Sequence, residues 1–362
     1  MELTAPVYYA AFRCLAERCR DNCCRTGWEI DVDSATVDYY KTLPPGERER
    51  ILSGLSVDAE GNYTICPVDG QCPFLTPQGL CSLVTELGEE HIGDICALHP
   101  RYREWFPGRM EIGVGLCCEE AARLILSDPA PAQFETYLTD ADPDDEEDDP
   151  APLYLPLLTL RDRLFALLQN RSLPLRRRMA QALRLAEGIQ QQLNRGQLPA
   201  EDTPLSDTVP LPISRSRVLA AALDVHREME VLEPSWMQGI DDLRSHLDAL
   251  DFDGFFAALG ERCYEYEHLL VYFLFRYFLK AVYDENALNK VQSALVMTLV
   301  MAAQGAWEWQ KTGRFSLADQ IEVTRQYSKE VEYSDDNRNA LYEAFLFEQE
   351  LSVPALLGWL EG

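Results

Sequence analysis

The sequence predicts a mainly α protein, a cysteine-rich, loop-rich metal-binding N-terminal region followed by a helical-bundle domain. Three observations support this reading. Ten of the eleven cysteines lie between residues 14 and 118, and only Cys263 falls outside. Beyond Pro152, apolar residues recur at three- and four-residue spacing, the period of a helix with one buried face. Between the two halves, residues 128–152 carry prolines and the acidic run 144–149, a block of like charge that cannot pack and reads as a connector. The predicted divisions are therefore 1–127, 128–152 and 153–362.

In chain order, residues 7–12 read as a short strand or a helix start. Asp33 and Ser34 offer an N-cap for a helix over 35–43, which Pro44 and Pro45 end. A second short helix is expected over 46–55. Residues 62–84, rich in Pro, Gly and Cys, read as loops wrapped on a site. A strand is expected over 109–115. A helix over 118–126 would place Glu119 and Glu120 at its positive end, and a short helix follows Pro131. Helices are expected over 153–169, 175–193, 214–232 and 239–250, with a break at 194–212. Residues 264–283 are aromatic and apolar nearly all round, as in a helix buried inside a bundle, and 289–309 are similar. Ser316 to Asp319 resembles a capping box, and 336–350 supplies the last long helix.

Charge and compartment narrow the function. Acids outnumber bases by 60 to 32, a formal charge of -28, which repels phosphate backbones and excludes nucleic acid as a partner. The same field attracts a basic surface, such as lysines displayed by another protein, or simply keeps the chain dissolved. The N-terminus shows no basic and apolar leader. No apolar run is long enough to span a bilayer; the longest, 291–303, is interrupted by Gln292 and Ser293. A cytoplasmic location is expected, with peripheral membrane contact through the aromatic stretch left open. Reducing conditions there favour metal ligation over disulfides.

Cys19-x3-Cys23-Cys24 brings three thiols within one or two turns of chain. Cys72 and Cys81 flank a Thr76-Pro77-Gln78-Gly79 turn and so can converge, while Cys96 and Cys118 add distant donors. Soft thiolates suit zinc or iron–sulfur centres, and the spacing does not choose between them. His91, His226, His246 and His268 show no paired metal spacing. Gly113-x-Gly115 lacks the third glycine of a nucleotide fingerprint, and no Rossmann half is present.

The set Phe12-x-Cys14-x4-Cys19-x-Asp21-x-Cys23-Cys24-x3-Trp28-x-Ile30, with Cys72-Pro73-Phe74-Leu75, Cys81, Cys96-x2-His99-Pro100-Arg101 and Cys118-x3-Ala122-Arg123, resembles the flagellin lysine-N-methylase family. The aromatic segment 264–283 is similar to that family's C-terminal half. The resemblance implies a protein-lysine N-methyltransferase that uses S-adenosyl-L-methionine to methylate flagellin, with a [4Fe-4S] cluster, or zinc in its place. The ligand pool it implies is Cys14, Cys19, Cys23, Cys24, Cys72, Cys81, Cys96 and Cys118. Glu119 stands where a proline is expected, Cys66 and Cys117 fall outside the pattern, and His99 replaces a common tyrosine. His99 is read as a packed or solvated side chain, with an added ligand as the alternative. The radical triad Cys-x3-Cys-x2-Cys is incomplete, because Thr26 occupies its third position. Polar and radical transfer both remain open, as does a non-catalytic zinc- or iron–sulfur-binding role in redox or partner binding.

Overall fold

The computed structural model describes residues 1–25, 27–139 and 152–362; Thr26 of the incomplete triad and the acidic run 144–149 lie outside the described residues. Helices dominate. The N-terminal part carries two sheets. Strands β1 (Glu2–Pro6), β5 (Arg101–Phe106), β6 (Arg109–Val114) and β7 (Phe134–Leu138) form one of them, in the order β5-β6-β1-β7. Here β1 runs parallel to β6 and antiparallel to β7, and β5 and β6 form an antiparallel pair. Strands β2 (Ile30–Val32), β3 (Ser56–Val57) and β4 (Tyr63–Ile65) make the second, in the order β2-β4-β3.

Short helices α1 (Ser34–Thr42), α2 (Pro45–Ser53), α3 (Ser82–Leu87) and α4 (Asp94–Leu98) surround this second sheet, and α5 (Glu119–Ser127) follows the first. The Asp33 side chain accepts from Thr36 N at 2.8 Å and starts α1 as expected, while Pro45 opens α2 where its missing N–H costs nothing. Val32, Val37, Tyr40, Ile51, Ile65, Phe74 and Leu83 make a small core of their own beneath the cysteine loops. Two local expectations are corrected. Residues 7–11 form a 3-10 turn after β1, and the stretch after Pro131 is the strand β7 rather than a helix. Its register on β1 is set by backbone pairing from Glu2↔Leu138 to Pro6↔Phe134, a long-range partner invisible to helical periodicity.

The second half is helical throughout: α6 (Tyr154–Leu168), α7 (Leu175–Leu193), α8 (Arg215–Arg227), α9 (Pro234–Ser245), α10 (Phe252–Leu259), α11 (Tyr264–Tyr277), α12 (Ala281–Asp284), α13 (Ala287–Thr312), α14 (Leu317–Tyr327), α15 (Asp335–Phe347) and α16 (Val353–Glu361). A π-helical turn over Ser328–Glu332 links α14 to α15. Helices α11 and α13 are buried on nearly every face, as their unbroken apolar character requires, and the other helices pack round them. Ser316 and Asp319 form the expected capping box of α14. None of the helices is long and apolar enough to cross a membrane, among the described residues.

The first sheet is fastened to the bundle by a buried ion pair. Arg161 of α6 reaches both oxygens of Glu111 on β6, at 2.6 and 2.5 Å, and donates to Phe275 O on α11. The main core runs without interruption from Phe106 and Leu116 into the helices.

Candidate functional site

Backbone geometry gathers most of the thiols into two neighbouring groups. Cys72 N donates to Cys24 O at 2.8 Å, laying the second cysteine loop on the first. The 76–79 turn forms as expected, with Gly79 at φ +81°, and Leu75 pairs with Cys81 across it. Asn22 braces both loops, donating to Gly79 O at 3.0 Å and accepting from Cys24 N at 2.9 Å. Asp94 N donates to Asp33 Oδ2 and holds α4, with Cys96, against the start of α1.

In the first group, the Cys24 thiol lies in hydrogen-bonding reach of the sulfurs of Cys23 and Cys72. Those contacts raise Cys24 and lower Cys23 and Cys72, the latter to about 7. Burial raises Cys96 to about 12 and also raises Cys81, and both sense the charges of Cys72 and Cys23. In the second group, burial pushes Cys118 up to about 11 and raises Cys19, and each senses Cys14. Cys19 also senses Cys23, so the groups adjoin. Glu119 accepts from Arg20 N at 3.0 Å and Arg20 Nε at 2.7 Å, which folds the first loop back onto the start of α5.

Among the described residues, none of the eleven cysteines forms a disulfide. Within the described residues, no three His, Cys, Asp or Glu side chains already close on one point. The donor chemistry still fits a thiophilic centre, with eight cysteines on adjoining loops and two of them stabilised toward thiolate by their neighbours. Cys263 stands apart from both groups, its thiol donating to Phe256 O at 3.6 Å. Cys117 is buried and faces the opposite way, with its Sγ 4.0 Å from His99 Nε2 and in reach of the Tyr333 hydroxyl.

Behind Cys117 lies a polar centre that sequence reasoning did not assign. Arg276 of α11 donates to Glu332 Oε1 at 2.6 Å and to the Tyr272 hydroxyl at 2.8 Å. Tyr272 and Tyr277 donate to the same Glu332 oxygen at 2.6 and 3.0 Å, and Ser328 to the other. Arg276 also lies over the rings of Tyr102, Tyr277 and Tyr333, 4.5 to 5.2 Å from their centroids. Burial works against the Arg276 cation, and the phenols and Glu332 around it keep it charged. A Cβ at Gly113 or Gly115 would collide with the hydroxyl of Tyr102 or Tyr333, so those glycines make room for the rings. The Tyr102 hydroxyl and Arg276 Nε are buried with no hydrogen-bond partner among the described residues, two polar groups left for a ligand to meet.

The centre continues outward to the thiols. Tyr333 stacks on Trp28, with centroids 5.6 Å apart, and His99 packs edge-on against both. Burial, aided by the Arg276 charge, lowers His99 to about 4, so it is neutral near pH 7. Asp21, between Cys19 and Cys23, pairs with Arg325 and with Lys329 Nζ at 2.8 Å, and Lys329 also pairs with Glu233. The cysteine loops thus seat directly on the α14–α15 junction. One sequence signal could have pointed to this centre: Arg276 is the one Lys or Arg in the largely aromatic and apolar helix α11.

The thiol-rich loops and the helices meet at a buried tyrosine, arginine and glutamate centre, the arrangement of a mainly α, cysteine-rich protein. Residues 161–358, more than half of the chain, match the model of the FliB lysine N-methylase C-terminal domain, and the chain belongs to that family. It is 28% identical over 133 residues to the lysine-N-methylase of Salmonella typhimurium, covering 35% of this chain and 33% of the relative. It is 27% identical over 133 residues to the flagellar biosynthetic protein FliU of Salmonella muenchen, covering 35% of this chain and 78% of FliU. The chain thus spans about a third of the length of the lysine-N-methylases it matches. No solved structure matches it.

Proposed function

We propose that this protein is a protein-lysine N-methyltransferase that uses S-adenosyl-L-methionine and acts on flagellin in the cytoplasm. One observation carries the reading. The buried Arg276–Glu332 centre lies within the family-matched segment, and it is completed by Trp28, His99, Tyr102 and Cys117 from the cysteine-rich half.

The chemistry of the substrate explains why such a centre is useful. A lysine side chain has a pKa near 10.4, so only about one in a thousand is neutral at pH 7.4. A site must take up the ammonium proton or favour the neutral amine. Glu332 is the carboxylate of the centre, and the Tyr272 hydroxyl, which donates to its Oε1 at 2.6 Å, is placed to relay a proton to it. The fixed positive charge of Arg276 disfavours a second cation beside it and so favours the neutral amine. Tyr333, Trp28 and His99 screen the centre from water on the side of the thiols.

The residues that would hold a [4Fe-4S] cluster, or zinc, are drawn from Cys14, Cys19, Cys23, Cys24, Cys72, Cys81, Cys96 and Cys118. When bound, such a centre would supply redox or Lewis-acid chemistry. The thiols by themselves favour a second reading, a non-catalytic metal-binding or redox module. Anaerobically purified protein, incubated with methyl-labelled S-adenosylmethionine and flagellin, separates the two. Label on flagellin lysines supports the methylase reading, whereas a metal-replete protein that labels none refutes it.

A further inference from the structure

A cavity of about 190 Å³ opens between the 3-10 turn 7–11, α5, α11 and the segment leading into β7. Five aromatic rings line it, those of Tyr8, Phe134, His268, Tyr272 and Phe275, and Asp128 and Gln133 stand exposed at its rim. Its walls are built by specific contacts. Phe134 stacks on Phe275 with centroids 4.5 Å apart. His268 meets Ile125 O at 2.8 Å with one ring nitrogen and Ala130 O at 2.9 Å with the other, which ties the 128–134 segment to α11. Arg171 holds Pro129 O at 2.6 Å, and Val7 N holds Gln133 O at 3.0 Å.

Size and chemistry select the ligand class. An apolar cavity of about 150 Å³ admits benzene, whereas pockets that enclose whole ligands run from about 300 Å³ upward. This cavity therefore fits one flat bicyclic ring and leaves the rest of the ligand outside. Aromatic walls suit a π-face, and a rim carboxylate and amide suit ring amino groups or sugar hydroxyls. The acidic rim, on a chain of net charge -28, also welcomes a cationic ligand. Tyr272 belongs to both places: its ring lines the cavity and its hydroxyl enters the Arg276–Glu332 centre.

We infer that this cavity binds the purine nucleoside portion of the sulfonium cofactor, its base between the rings and the remainder directed along Tyr272 to the polar centre. The inference rests on the methylase reading and adds a location to it. Calorimetric titration with S-adenosylhomocysteine and with adenosine tests it, using the wild type and the cavity-filling variants Ala132→Phe and Val271→Phe. Both probes should bind the wild type, and both variants should weaken them by at least about tenfold while metal content and circular dichroism stay unchanged. In parallel, S-adenosylhomocysteine should slow wild-type amide exchange across 124–134 and 268–275, a readout that stands even if a filled variant fails to fold. Binding that persists in folded variants, or exchange protection confined to other segments, overturns the location and leaves the methylase reading standing. A wild type that binds neither probe overturns both.

Discussion

Replacing Glu111 with Gln would test what joins the first sheet to the helical bundle. Glu111 is 1% exposed and Arg161 2%, and the pair is doubly hydrogen-bonded. Gln retains one acceptor but removes the countercharge. Arg161 keeps its bond to Phe275 O and its place over the rings of Phe165 and Phe275, and its Nε has no partner among the described residues. Breaking one side of a buried pair costs about 3–5 kcal/mol, and the retained acceptor places Glu111→Gln near the lower end. Removing both charges in Glu111→Leu/Arg161→Met should return stability to within about 1–2 kcal/mol of wild type, because no buried charge is left uncompensated. Urea unfolding, followed by tryptophan fluorescence and far-ultraviolet circular dichroism, measures both. With a slope near 3 kcal/mol per molar, the single variant should lower the midpoint by about 1 M. A single variant within about 1 kcal/mol of wild type, or a double variant no more stable than Glu111→Gln, would refute the reasoning.

Four further outcomes are expected. Cys23→Ser and Cys72→Ser should each abolish the bound metal of anaerobically prepared protein; unchanged metal analysis in both would remove these thiols from the ligand set. Glu332→Gln and Tyr272→Phe should lower kcat about 10²- to 10⁴-fold with little change in substrate KM, and a KM effect alone would argue against a role in proton handling. Lys329→Met should leave the helical domain folded but loosen the cysteine loops, seen as faster proteolysis within residues 12–30; equal cleavage rates would show that the Asp21 contact is idle. His226 is fully buried, bonded to Ala222 O and to the Tyr327 hydroxyl, and burial lowers it to about 4. The unfolded chain takes up its proton nearer 6.5, so this contribution is complete above pH 6.5 and is lost as pH falls toward 4, on the order of 3 kcal/mol. His226→Gln should flatten that acid-side slope, and an unaltered slope between pH 6.5 and 4 would exclude the assignment.

Much of the helical half could be read from apolar spacing, because each amphipathic helix records its buried face locally. The 175–193 helix has the expected bounds, and the capping box at Ser316 forms as its spacing implies. Strand β7 could not be read in this way, since it exists only through pairing with β1 more than a hundred residues earlier. The thiol pool was visible because cysteine is rare and its clustering is linear in sequence. The Arg276–Glu332 centre was not, because its members come from β5, α11, the π turn and the loop at Trp28. Trp28 falls in the cysteine-box pattern, but the other members stand in no spacing that marks a site. Only Arg276, the one Lys or Arg of α11, hinted at it. Burial supplies the rest of that information, and burial is a property of the assembled chain.

The widened turn at Ser328–Glu332 shapes how such a protein can change over time. It lets consecutive side chains diverge: Lys329 toward Asp21, Glu330 onto the amides of Leu232 and Glu233, Glu332 to Arg276, and Tyr333 against Trp28. Losing one residue there would restore ordinary winding and rotate every later contact away from its mate. Length at this junction should therefore be constrained more tightly than composition. Hybrids that exchange the cysteine half between distant relatives should lose their fit at Asp21 and Trp28 first, before any thiol is altered.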